Sequence, residues 1–142
     1  MMIFMKYAFN PSGTIARAAT TARISTWAAT KVCRLINRKR FEVAKKLVDD
    51  LCKGKITIKR KMYTKAARQI KNLLASVELN AKQRHNQEQI NNSLLFISSH
   101  KGPTQYRARR RRSFGVRLKS THVQAIIVAA QQTTEAVKEV KT

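Results

Sequence analysis

The sequence contains few of the side-chain groups and motifs that catalysis requires. It has no Gly-rich phosphate loop and no Gly-flanked Ser, and its one close acidic pair, Asp49 and Asp50, lies at the end of a predicted helix, where solvent surrounds both side chains. Acid–base and phosphoryl chemistry need such groups in close arrangement. We therefore predict that the protein is not an enzyme and has no small-molecule substrate.

Metal ligands and disulfide partners are equally scarce. The two cysteines, Cys33 and Cys52, fall on apolar helical stripes, without the further Cys or His that a disulfide framework or zinc module needs. His100 and His122 could face each other on neighbouring strands, but two histidines without a third ligand make a poor metal site. We predict free thiols, no metal, no cofactor, and a structural or RNA-contacting role for both histidines.

Long apolar runs are absent as well. The longest, AIIVAA at residues 125–130, is strand-like, whereas a membrane-spanning helix needs about 20 apolar residues. A cationic helix lying on a membrane surface would need bulky aromatics opposite its basic face, and the longest predicted helix has none. We therefore rank a membrane partner last.

Acidic residues are missing from whole stretches of the chain. Residues 1–41 carry eight basic residues and no acid, and between Ser98 and Ser120 there are eight Lys or Arg and again no acid. The net charge is +23 on 142 residues, which calls for a partner of dense negative charge, nucleic acid before membrane. An apolar content of 43% is enough for one domain with a core.

The second acid-free stretch predicts a long β-hairpin at about residues 100–121. SLLFISS at residues 93–99 and THVQAIIV at residues 121–128 both resemble strands. Gly102 and Pro103 mark the point where the first strand leaves the sheet, because Pro cannot donate to a central ladder. Side chains alternate faces along a strand, so the arginines at residues 109–112 put charge on both faces, and the hairpin has no apolar face to lay on a core.

Such a hairpin is suited to a polyanion. Arg offers forked donors to phosphate and a flat face for stacking on bases, and Tyr106 and Phe114 bracket the Arg cluster. An arm of about 7 residues would reach roughly 20–25 Å from the domain. The residues that we predict to contact nucleic acid are Lys101, Arg107, Arg109, Arg110, Arg111, Arg112, Arg117, Lys119 and His122.

The rest of the chain predicts a small platform. Apolar periodicity indicates helices over residues 27–38, 41–52 and 64–84, the last with Thr64 as N-cap. Residues 22–26 look like a short strand or extended lead-in, residues 38–40 a basic linker, residues 53–63 a basic loop and residues 85–92 a polar loop. These elements predict an α+β domain with an antiparallel sheet and helices on one face.

The two ends of the chain are assigned by composition. Residues 1–21, rich in Ala, Thr, Arg and Met, are either an organellar targeting segment or a basic arm that lies along nucleic acid. Residues 131–142 form a polar tail. The domain proper is predicted to span residues 22–130.

Order and spacing of these pieces resemble the universal large-subunit ribosomal protein family numbered twenty-two in bacterial nomenclature. The resemblance covers about residues 22–129. It is carried by ARIST with KVCRLINRKRFEVAKKL, by TKAARQIKNLLASVELNA, by GPT at residues 102–104, and by ARRRRSFGVRLKSTHVQAIIV. Two departures lie in the hairpin: the family's tip has a Gly where this chain continues with Arg, and the segment from Gly102 to His122 is a few residues shorter.

The resemblance implies a three-stranded antiparallel sheet packed with three helices and a protruding hairpin. It implies binding to large-subunit ribosomal RNA (rRNA), contact with neighbouring large-subunit proteins, and insertion of the hairpin between rRNA domains. The tip, Arg109, Arg110, Arg111 and Arg112, would line the nascent-peptide exit tunnel and meet the nascent polypeptide. The bacterial-type spacing with an acid-free N-terminal extension favours a mitochondrial ribosome, with a bacterial or plastid ribosome as the alternatives.

A second hypothesis uses the helix pair at residues 27–52 as a helix-turn-helix for DNA. Its recognition surface would carry Glu42, Asp49 and Asp50, and the hairpin would have no role. We therefore place it behind the ribosomal hypothesis.

Overall fold

The computed structural model describes residues 9–108 and 115–129. These residues form an α+β fold, as predicted, with four helices and six strands. In chain order the elements are β1 (Thr14–Ala22), α1 (Thr26–Ile36), β2 (Lys39–Arg40), α2 (Phe41–Cys52), α3 (Thr64–Lys82), α4 (Gln87–Asn92), β3 (Leu94–Lys101), β4 (Gln105–Arg107), β5 (Val116–Leu118) and β6 (Thr121–Val128).

The main sheet has four strands within the described ranges, in the order β1-β6-β3-β2, and every neighbouring pair is antiparallel. The prediction of three strands was therefore wrong. Strands β4 and β5 form a separate two-stranded ribbon. The long pairing of β3 with β6, from Leu94 opposite Val128 to Lys101 opposite Thr121, is the base from which this ribbon leaves.

Strand β1 lies earlier in the chain than the predicted lead-in at residues 22–26. Its sequence, TIARAATTA, lacks the bulky alternation that marks a half-buried strand. Its position is set by pairing with β6 along its length, with Ala16 and Ala22 buried. The side chain of Asn80 on α3 also donates to the backbone oxygen of Arg17, at 3.1 Å. Tertiary pairing therefore makes a strand of a segment that composition assigns to an extension.

The three long helices follow the predictions closely. Helix α2 has the predicted bounds, and its stripe residues Ala44, Val48 and Leu51 are buried. Helices α1 and α3 each end two residues before the predicted limit. The N-cap prediction was wrong, because Tyr63 occupies the cap position of α3 without a side-chain cap bond and Thr64 is already helical.

Two segments predicted as connections are regular structure. The polar loop contains the short helix α4, whose single apolar residue, Ile90, is fully buried. The basic linker contains β2, in which Lys39 pairs with Leu95 and Arg40 with Leu94. Next to it, Ile97 donates its N–H to the side-chain oxygen of Asn37, at 3.2 Å, so that a side chain continues the ladder where β2 is too short to do so.

The core lies between the sheet and helices α1 and α3, with α2 packed on α3. Alternate residues of β6, Val123, Ala125 and Ile127, join it from the sheet. The side chains of Val123 and Ile127 each contribute about 1.5–3 kcal/mol when fully buried, and that of Ala125 contributes less. Cys33 lies in this core, and burial raises the pKa of its thiol to about 12, against a smaller lowering by its hydrogen bond to Ser99. Cys52 is half-buried, and both cysteines are free thiols.

Candidate nucleic-acid interface

The hairpin leaves the sheet through a close backbone contact at Gly102. The N–H of Gly102 donates to the carbonyl oxygen of Ser120 at 3.0 Å, and the Ser120 hydroxyl donates to the carbonyl oxygen of Pro103. A Cβ at Gly102 would lie 2.6 Å from the Ser120 Oγ and 3.0 Å from its carbonyl carbon. Only glycine lets the two arms approach this closely, and β3 ends at the residue before it, Lys101.

Beyond this contact the arms pair again as β4 and β5. Gln105 lies opposite Leu118, Tyr106 opposite Arg117, and Arg107 opposite Val116. All three residues of β4 are exposed, and Tyr106 shows 68% of its surface to solvent. None of the described ribbon residues is buried. The ribbon is therefore an appendage of the domain, as its charge pattern predicts.

Four of the predicted contact residues, Lys101, Arg107, Arg117 and Lys119, lie exposed along this ribbon and its base. The ion pairs found within residues 9–108 and 115–129 involve none of them. The guanidinium of Arg117 lies 6.0 Å from the ring centre of Tyr106 across the ribbon. An aromatic ring beside a cation is an arrangement that accepts both a phosphate and a stacked base.

The predicted tip, Arg109, Arg110, Arg111 and Arg112, lies outside the described residues, as does Phe114. By sequence this six-residue segment, 109–114, joins the exposed end of β4 to the exposed end of β5. Its role in binding stays a prediction.

The two histidines do face each other, as predicted, as direct partners of β3 and β6. The Nδ1 of His122 lies 2.6 Å from the hydroxyl oxygen of Thr21, so this half-exposed ring also ties β6 to the edge strand β1. Among the described residues there is no group of three side chains that could hold a metal ion. An RNA contact through His122 stays a prediction.

The acidic side chains that the structure describes lie on α2, α3 and α4, outside the ribbon, and several are already paired with lysine. Glu42 bonds Lys46 at 2.6 Å and Asp49 bonds Lys71 at 2.8 Å. Glu78 accepts from Lys45 at 2.6 Å and lies 3.1 Å from Lys82. Asp49 therefore has an ion-pair partner, and the prediction that solvent alone surrounds it was wrong. The ribbon keeps a positive field, because no described acid neutralises it.

The helix pair at residues 27–52 does not form the predicted alternative motif. The segment between α1 and α2 is a strand of the main sheet, with Arg38 donating its N–H to the Leu95 carbonyl oxygen and Phe41 to that of Ser93. A helix-turn-helix instead joins its helices by a short turn and presents the second one. Here α2 buries one face against the core and carries acids on another.

The structure adds one residue that the sequence did not assign to the interface. Trp27, at the start of α1, is 55% exposed and lines a cleft with Lys101, Arg117 and Lys119 at the base of the hairpin. In the sequence its only signal is a large aromatic side chain in the polar first turn of a helix. Its position beside the hairpin depends on packing between segments about 75–90 residues apart, which periodicity cannot show.

Comparison with known proteins indicates which nucleic acid the chain binds. No curated protein matches the chain significantly, and no helix of the described segments is long and apolar enough to cross a bilayer. One family model, described as Ribosomal protein L22p/L17e, matches residues 17–135, which is most of the chain and includes the platform and the whole hairpin. An acid-free ribbon on a sheet-and-helix platform, matched over this length, shows that the chain belongs to the ribosomal protein L22p/L17e family, whose members are non-enzymatic structural proteins of the large ribosomal subunit that bind rRNA.

Proposed function

We propose that the hairpin of this protein inserts between rRNA domains of the large subunit and lines the nascent-peptide exit tunnel. The observation that carries the proposal is a ribbon whose described residues are all unburied and whose described cations have no acidic partner within residues 9–108 and 115–129. Like charges this dense repel one another until an anion neutralises them. Phosphates in a junction between RNA helices supply that charge on both sides of the ribbon.

In this proposal the residues have two roles. Lys101, Arg107, Arg117, Lys119 and His122 contact rRNA phosphates along the arms, which gives affinity without reading sequence. Arg109, Arg110, Arg111 and Arg112 form the tip that meets the tunnel and the nascent polypeptide. The platform docks on the subunit surface, where neighbouring ribosomal proteins contact it.

Site-specific crosslinking tests the position of the tip. A photoreactive residue in place of Arg110, in large subunits carrying a stalled radiolabelled chain, should crosslink to that chain and to rRNA. The same probe in place of Lys46, exposed on α2, should give no nascent-chain product. If both positions give the same products, the tunnel assignment fails, and if the protein sediments free of the large subunit at moderate salt, the whole proposal fails.

We further propose that the ribosome is organellar, most simply mitochondrial. The support is the acid-free, Ala/Thr/Arg-rich composition of residues 1–21. Because β1 begins at Thr14 and pairs with β6, removal of residues beyond about position 13 would delete the edge strand. Targeting information in residues 1–21 should therefore be read without cleavage beyond about position 13.

A fusion experiment tests the organellar assignment. Residues 1–21 joined to a fluorescent protein should enter mitochondria, and the N-terminus of the imported full chain should lie at or before Thr14. A fusion that stays outside organelles, together with a full chain that joins bacterial or cytosolic subunits, would contradict the organellar assignment.

A further inference from the structure

Trp27 is the centre of a cluster of cations and aromatic rings next to the hairpin. The Tyr63 ring approaches it edge-on, with ring centres 5.7 Å apart and planes at 64°. The ammonium groups of Lys31 and Lys61 lie 5.3 Å and 5.7 Å from its ring centre. Tyr63 packs against the core, so one side of the indole is held while more than half of its surface stays exposed.

The loop that supplies Lys61 is built at a conformational cost. Ile58 and Lys61 exchange two backbone hydrogen bonds of 3.0 Å, closing a two-residue turn over Lys59 and Arg60. These residues have φ of 48° and 62°, values that two-residue turns usually assign to Asn and Gly. Strain of this kind marks functional positions. Here the turn carries three consecutive cations, of which Lys61 lies beside the exposed indole.

The cluster is continuous with the base of the hairpin. Trp27 lines the same cleft as Lys101, Arg117 and Lys119. The acids whose positions are described, on α2, α3 and α4, lie outside the residues of this cleft. An RNA strand bound along the hairpin arms would therefore meet the indole next, with lysines on both sides to hold its phosphates.

We propose that Trp27 is a stacking platform for an unpaired RNA base, with Lys31, Lys61 and the strained turn binding the flanking phosphates. This inference rests on the proposed function, because it takes rRNA as the ligand. An exposed cation–π contact changes an equilibrium by about two- to fivefold. A stacked base changes it by about 5- to 150-fold, so a base displaces the lysines from the ring and leaves them free for phosphate.

The single Trp of the chain makes the test direct, because intrinsic indole fluorescence reports on this site alone. The full-length chain is titrated separately with fluorescein-labelled oligoadenylate, with an RNA duplex of the same length and with inorganic polyphosphate. Anisotropy of the label measures binding of the oligoadenylate. Displacement of the labelled oligoadenylate measures binding of the other two ligands. Single-stranded RNA should quench Trp27 emission, because a base stacks directly on the indole. Duplex and polyphosphate should bind with little quenching, because neither offers an unpaired base.

Variants supply the second readout. Trp27→Ala should weaken oligoadenylate binding about 5- to 150-fold and duplex binding less than about twofold. Leu79→Ala is the matched control: Leu79 is a 64% exposed apolar residue on α3, about 22 Å along the helix from Thr64. It should leave both affinities unchanged, and circular dichroism should show both variants folded.

Two outcomes would overturn the stacking role of Trp27 but leave the proposed function intact. In the first, RNA binds with unchanged emission and Trp27→Ala binds RNA normally. In the second, polyphosphate quenches Trp27 emission as strongly as RNA. Failure of the chain to bind any RNA overturns both.

Discussion

Glu78 is the acidic side chain on which helices α2, α3 and α4 converge. It accepts hydrogen bonds from Lys45 of α2 at 2.6 Å and from Gln87 of α4 at 3.3 Å, and it lies 3.1 Å from Lys82 of its own helix. Its side chain is only 11% exposed. Burial, the largest single effect, raises its pKa, but the bonds from Lys45, Lys82 and Gln87 together outweigh it, so the net pKa lies below the ordinary 4.5.

Replacing Glu78 by Gln should therefore lower stability in a pH-dependent way. At pH 7 we expect a decrease of about 1–3 kcal/mol in the free energy of unfolding, because Lys45 and Lys82 are deprived of a charged acceptor. A lowered folded-state pKa contributes stability above the unfolded-state value that is lost as pH falls through the folded-state value. The difference between wild type and Glu78→Gln should thus be full above about pH 4.5 and shrink below it.

Urea unfolding at several pH values measures this difference. Glu42→Gln is the control, since Glu42 pairs with Lys46 on the exposed face of α2 and should change stability little at any pH. A Glu78→Gln deficit that stays constant down to about pH 3 would contradict the linkage argument.

Individual elements differ in how far the sequence specifies them. Helix α2 is predictable to the residue because three residues of its predicted stripe, Ala44, Val48 and Leu51, are buried, and the fourth, Leu47, packs half-buried against the core. Helix α4 is not, because its only local signal is Ile90, whose burial depends on α2 and α3. Strand β1 is hidden by an Ala- and Thr-rich composition that acquires strand structure from β6.

The residues of the candidate interface also differ in how far the sequence predicts them. Charge and spacing alone predict Lys101, Arg107, Arg117 and Lys119 as candidate contacts, because a run of cations without acids needs no tertiary information. The cluster at Trp27 joins residues from α1 and from the loop that ends at Tyr63. Only packing brings them together.

The turn at Lys59 and Arg60 should show opposite effects on stability and binding. Lys59→Asn with Arg60→Gly places the preferred residues where φ is positive. We expect stability to rise by about 1 kcal/mol through relief of backbone strain. RNA affinity should fall, because two cations adjacent in sequence to Lys61, which contacts Trp27, are removed.

Urea unfolding and oligoadenylate anisotropy follow the two quantities in one sample. Lys53→Asn with Lys55→Gly, in the same loop but with neither residue at positive φ, is the control and should not gain stability. If the turn variant is less stable than wild type, the strain argument is wrong, and if its RNA affinity is unchanged, the turn is not part of the binding surface.

At the scale of the molecule, charge is sorted between two regions. The acids whose structure is described lie on α2, α3 and α4, where lysines pair with several of them. The hairpin and the Trp27 cluster carry cations only. With a net charge of +23, the protein combines a folded platform that balances part of its own charge with a surface that leaves its charge for RNA. Folding and binding should therefore be separable by mutation.

Replacing residues 109–112 by alanine tests that separation. Because the four arginines join two exposed strands, the platform should keep its unfolding free energy within about 0.5 kcal/mol. Binding to large-subunit rRNA should weaken. The log–log slope of affinity against salt should become shallower by about 0.7–0.9 for each phosphate that the variant no longer neutralises, up to roughly 3 in all.

The charge-matched control replaces Lys53, Lys55, Arg68 and Arg84, which are exposed on the platform. It removes the same net charge, so its effect on rRNA binding measures what the overall field contributes. If binding depends on where the charges lie, the tip variant should show the larger decrease in affinity and in the log–log slope of affinity against salt. Equal decreases would mean that net charge alone drives binding, and unfolding of the tip variant would place the tip within the cooperative unit of the platform.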